Sequence, residues 1–198
     1  MGTQAQPSPS VALDHARRLF DNCTDWYKSA DSKAQVLLTL DGAFVTFLTG
    51  SVFGKPGDAA QVINKFGSET WILLALMCAA MTFSIFSAIC CLWSRTFPRR
   101  ELKERIANAA PDKDGYPAQV MWFFQFVHKL DPEIFTKQLL NTDEQFAIKV
   151  LASQSVELSR TVTEKHKWID RGFASAAISL IAFVGVLVSY IVRLRWQL

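Results

Sequence analysis

The sequence predicts an all-α membrane protein: three transmembrane helices, two of them continuous with long cytosolic helices that form a helical bundle. Three observations predict it. Apolar runs at 34–53, 71–94 and 172–194 are each close to the ~20 residues that a helix needs to cross the hydrocarbon of a bilayer. The sequence leading into the first and third runs keeps helical periodicity with almost no break. Lys and Arg are also unevenly placed: thirteen of the 21 lie between the second and third runs.

Composition narrows the class. Half of the 198 residues are hydrophobic and a fifth are charged, with the apolar ones concentrated in the three runs. A net charge of +3 is too small and too dispersed for a nucleic-acid surface. The four cysteines, Cys23, Cys78, Cys90 and Cys91, form no C-x-x-C pair, so a disulfide framework or zinc site is not expected. Residues 1–8 are rich in Pro, Ser and Gln and read as a disordered tail rather than a leader.

Ser8-Pro9 is a helix start, with Ser as N-cap and Pro at the first helical position. From it runs a seam stepping by four and three: Ala12, Ala16, Leu19, Cys23, Trp26, Ala30, Ala34, Leu37, Asp41, Val45, Leu48, Val52. That is the period of helix packing, and one helix is predicted over 9–53. Residues 9–33 form its cytosolic part, standing roughly 35 Å off the membrane at ~1.5 Å per residue, and 34–53 form the first span. Thr39, Gly42, Thr46 and Thr49 add a small-residue stripe of the kind that packs helices in lipid. Gly54-Lys55-Pro56-Gly57-Asp58 ends the helix, and 54–70 is the outer loop.

The second span, 71–94, has aromatic ends and its own stripe, Ala80, Ser84, Ser87 and Cys91. In the cytosolic region 95–171, short helices are predicted at 99–109 and at 117–130, the latter carrying the aromatic run Trp122-Phe123-Phe124. Another is predicted from Asp131-Pro132 to about Leu140. Thr142-x-x-Gln145 reads as a capping box opening a long helix that continues through the third span, with Gly172 as the candidate stop. Ser175, Ser179, Ala182, Gly185 and Ser189 give the third span a small-residue face. Positive-inside places the N-terminus and large loop in the cytoplasm.

The chain offers no catalytic constellation: no phosphate loop, no H-E-x-x-H, no G-x-S-x-G. No catalytic residue, metal site or cofactor is therefore assigned, and an enzyme is not expected. Asp41 is the sharpest feature of the first span. One reading makes it a pore-lining or gating carboxylate; the other pairs it with Lys33, a hydroxyl or lipid headgroups. Asp31 and Lys33, with Lys165 and His166 at the other membrane entry, could form a cationic pocket for a small anionic ligand, or simply snorkel to headgroups. The aromatic run suits bundle core or the membrane interface, with nucleobase stacking as the alternative.

Ala30-Asp31-Ser32-Lys33-Ala34 before the first span resembles the N-terminal signature of the Pycsar effector domain family. So does Trp122-Phe123-Phe124, followed by Glu133-Ile134-Phe135, Glu144, Leu158-Ser159 and Lys165 ahead of the last span. The resemblance runs from about Leu13 to Tyr190. It implies a bacterial inner-membrane effector of anti-phage defence, gated by a nucleotide second messenger from a partner cyclase or nucleotidyltransferase. By the same resemblance the messenger is cyclic CMP or cyclic UMP, and oligomerised spans permeabilise the membrane and abort infection. The implied partners are that nucleotide, the lipid bilayer and further copies of the chain, with no nucleic-acid duplex. An ion channel held closed by a nucleotide, and a constitutive scaffold binding a protein partner, stand beside it as alternatives.

Overall fold

The computed structural model describes residues 9–54, 57, 63, 66–93, 116–118, 121 and 124–196. Helices α1 (Pro9–Phe53), α2 (Ser68–Leu92), α3 (Phe124–Val127), α4 (Pro132–Leu140) and α5 (Glu144–Trp196) follow one another, with no strand among the described residues. Three of them, α1, α2 and α5, are long and apolar enough to cross a membrane. The fold is therefore the all-α membrane architecture expected. The predicted helix at 99–109, the tail at 1–8 and the Ser8 cap lie outside the described residues.

Two compact units are present, and α1 and α5 each contribute to both. A head unit comprises Met1–Lys28 and Ser94–Thr163; a membrane unit comprises Ser29–Trp93 and Glu164–Leu198.

In the head unit, Tyr116, Met121, Phe126 and Val150 form a core, with Ala118, Leu130, Phe135 and Phe146 against it. Tyr116 is held by three polar contacts. Its N–H donates to Gln138 Oε1 and its carbonyl accepts from Gln138 Nε2, both at 2.7 Å, while its hydroxyl accepts from the Asp131 N–H at 3.0 Å. One glutamine amide on α4 thus satisfies both backbone groups of a buried residue in an irregular segment, which otherwise would be costly to bury. Asp131 caps α4 as expected, accepting from the N–H groups of Glu133 and Ile134 at 2.9 and 3.2 Å, with Pro132 in the first turn.

Two local expectations need correction. Of the helix predicted over 117–130, residues 119, 120, 122 and 123 lie outside the described residues; of the rest only Phe124–Val127 are α-helical, with a bend at Met121. The cap of α5 is Asp143, whose carboxylate accepts from the Phe146 N–H at 2.6 Å. Thr142 instead donates to the Gln138 carbonyl and closes α4. As expected, α5 runs on through Gly172 as one helix. A Cβ there would lie 2.7 Å from Leu37 Cδ2 and 3.3 Å from Ser87 Cβ, so the glycine permits close approach of three helices.

The seam of α1 is also redistributed. Ala16, Cys23, Ala30, Ala34, Leu37 and Asp41 are buried as the periodicity requires. Leu19 and Trp26, however, are 43% and 55% exposed, and Val45 is exposed. Phe20, Tyr27 and Phe44 turn partly inward in their place. The inward positions therefore run 16, 20, 23, 27, 30, 34, 37, 41, 44 and 48, strictly alternating steps of four and three that make a seven-residue packing repeat.

Candidate functional site

In the membrane unit, α2 lies between the other two helices and bonds to both. Against α1, Ser84 Oγ donates to Asp41 Oδ2 at 2.7 Å and the Cys91 thiol points at the Ala30 carbonyl at 3.8 Å. Against α5, Ser87 donates to the Trp168 carbonyl at 2.5 Å. Ser175 donates to the Ala80 carbonyl at 2.7 Å, and Ser179 to that of Met77 at 3.2 Å. Thr70 and Ser189 share a hydroxyl–hydroxyl bond at 2.8 Å, and Arg193 pairs with Glu69 at 3.4 Å. Small residues set this register: with serine or alanine at each crossing, backbone carbonyls come within reach of side-chain hydroxyls.

Asp31 and Lys165 are brought together. They sit on α1 and α5 within the first turns of the membrane unit, and Lys165 Nζ reaches Asp31 Oδ1 at 2.5 Å. The lysine side chain is 1% exposed and the aspartate 29%. The same unit holds an apolar core of Ala30, Ala34, Leu37, Ala88, Cys91 and Ile169, all fully buried. Other ion pairs here are exposed: Lys167–Glu164, at 2.8 Å, spans one turn of one helix, and Arg193–Glu69 joins two helices at the surface.

The remaining residues singled out from sequence lie apart from this pair. Lys33 is exposed two positions beyond Asp31, on another face of α1, and His166 is half-buried beside Lys165 in sequence. Asp41 is ten residues along α1 from Asp31, ~15 Å at the helical rise, and 5% exposed. Its partner is the Ser84 hydroxyl rather than Lys33. Ser84 and Ser87 lie on the contact stripe predicted for the second span, but their partners leave no mark in its spacing. A 3–4 spacing marks the face of a helix, and only the packing says what that face meets.

Tryptophans mark both ends of this unit. Trp168 packs edge-on against Phe86 at 6.1 Å with Arg171 over its ring at 5.6 Å. Trp71 meets Phe66 at 5.9 Å, and Phe66 meets Tyr190 at 6.2 Å. Such rings favour the headgroup level. Among the described residues no three His, Cys, Asp or Glu gather as a metal site would require.

A multi-pass membrane protein with a helical head, its spans bonded to one another through hydroxyls, is the class this geometry defines. The family model for the Pycsar effector protein domain matches residues 15–192, and the chain belongs to that family. Membership makes it a transmembrane effector of anti-phage defence, an inner-membrane protein in a family of membrane effectors. No curated protein and no solved structure matches it.

Proposed function

We propose that this chain answers a nucleotide second messenger, cyclic CMP or cyclic UMP from a partner cyclase, by permeabilising the inner membrane and so aborting infection. In this reading the N-terminus and head unit are cytoplasmic, and the spans act as a homo-oligomer. The carrying observation is that α1 and α5 each pass from head unit to membrane unit as one uninterrupted helix. A change imposed on the head by a ligand therefore has a stiff path into the spans, provided that the ligand binds one arrangement better than the other.

The polar groups at the junction suit an anionic ligand in different degrees. Lys33 is exposed and His166 half-buried, so both are within reach of a phosphate. Lys165 already holds Asp31, and a ligand would act on it by competing with that carboxylate. Self-association is supported by the face of α1 bearing Thr39, Gly42, Thr46 and Thr49, which stays outward. Its threonines 39 and 46 donate to their own helix, and a Cβ at Gly42 would meet nothing within 4 Å, so a second helix can approach. Asp41 faces Ser84 within one protomer, and we assign it a gating role: its bond joins the two helices whose separation would admit water.

Dye and ion leak from proteoliposomes, with and without cyclic CMP and cyclic UMP, tests the reading. Nucleotide-dependent leak is expected, and no leak under any condition would sink it. Asp41→Asn removes a charge while retaining a hydrogen-bond partner for Ser84. It is expected to change the leak rate by roughly tenfold, the size of one modest intramembrane interaction. Wild-type conductance in that variant would remove Asp41 from the gate.

A further inference from the structure

We infer that the Asp31–Lys165 pair is a releasable latch that sets the separation of α1 and α5 where both enter the membrane unit. This rests on the permeabilising reading above for its consequence, though not for its geometry. Four observations carry it.

First, the pair encloses a charge between α1 and α5, with Lys165 only 1% exposed. Replacing a buried ion pair by well-packed apolar residues is often neutral or stabilising. Stability alone therefore does not account for a lysine at this level. Second, both helices cross from one unit to the other within three residues of the pair, at Lys28/Ser29 and Thr163/Glu164. Neither has a break there, so displacement of one helix is felt at this contact. Third, the pair is asymmetric. Lys165 is enclosed and Asp31 is more than a quarter exposed, so the pair opens by Asp31 turning out to solvent. Fourth, the neighbouring contact depends on the same spacing. Leu37 closes on Gly172 one or two turns deeper, and Ser87 bonds to the Trp168 carbonyl beside it. Spreading the helices at Asp31 would loosen both and then reach Asp41–Ser84.

The latched state is thus the closed one, and any agent that separates Asp31 from Lys165 favours opening. A ligand phosphate that outcompetes the carboxylate is one such agent; a bend of the head is another.

The test uses the full chain in nanodiscs, with genetically encoded spin labels at Ser32 and Lys167, both exposed and flanking the pair. Pulsed dipolar spectroscopy should give a narrow α1–α5 distance in wild type. Asp31→Asn should broaden it and raise nucleotide-independent liposome leak by roughly tenfold, as for a minor state made common. The apolar pair Asp31→Leu with Lys165→Met should stay narrow and tight. Unchanged spacing in Asp31→Asn overturns the latch. So does broadened spacing without basal leak in a protein whose wild type leaks on adding nucleotide, because the pair would then be only a staple. If no variant and no condition produces leak while the spacing still broadens, the permeabilising reading fails and the latch stands. Should Asp31→Asn not insert, Asp31→Glu takes its place. Its longer arm is expected to lengthen the distance, and wild-type spacing there counts against the latch.

Discussion

The head and membrane units solve opposite problems with the same helices. In the head, water is the solvent, and the core is built from large side chains: Tyr116, Met121 and Phe126 against Val150. Polar groups there repair irregular backbone, as Gln138 does for Tyr116. In the membrane unit, large apolar side chains such as Phe47, Ile72, Phe83 and Ile181 face outward, and the interior is rich in small and hydroxyl-bearing residues, Ser84, Ser87, Ser175, Ser179 and Gly172, beside Leu37 and Ile169. Apolar burial drives the first arrangement. It cannot drive the second, because lipid is as apolar as leucine, so close packing and hydrogen bonds hold the helices together. A substitution that suits one unit is therefore expected to harm the other.

The largest effect belongs to Gly172→Leu. The added side chain meets Leu37 and Ser87 at once. Overpacking of this kind costs ~1–3 kcal/mol. A lower unfolding temperature in detergent is expected, with the Ser87–Trp168 bond lost. Wild-type stability would mean that the three helices are not in close contact. Next comes Gln138→Ala in the head. It leaves the Tyr116 N–H and carbonyl without partners inside the protein, at ~1–3 kcal/mol for a stranded buried group. Hydrogen exchange should quicken around Tyr116 and α4 while the spans stay protected. Equal loosening of both units would erase the distinction between them. Smallest is Ser155→Ala. The Ser155 hydroxyl is buried in the head without a hydrogen-bond partner, the one such side-chain atom among the described residues. Removing it should leave stability within ~0.5 kcal/mol or raise it. A marked loss would show that the hydroxyl is satisfied by something bound.

Much of this was legible before any coordinates. Three apolar runs of the right length, a cap at Asp131-Pro132 and a seam without interruption lead to α1, α4 and α5 through local rules alone. Those rules mislead where two local signals compete. Thr142 and Asp143 both suit an N-cap, and the choice fell to Asp143 because Thr142 was already closing α4. Leu19 and Phe20, or Trp26 and Tyr27, are equally apolar on paper. Which of each pair turns inward depends on the register in which α1 packs: Phe20 and Tyr27 keep the seven-residue repeat with Ala34 and Asp41.

By itself the sequence determined that the chain crosses a membrane on three helices, two of which run on into the head. Hydrophobic length and helical period are properties of a segment, independent of what it touches. Only the tertiary structure decided that Asp31 meets Lys165, that Asp41 meets Ser84 rather than Lys33, and that Gly172 is a point of contact rather than a stop. Partners 134 and 43 residues apart have no mark in the local pattern. They are chosen by the register in which small residues let three helices close.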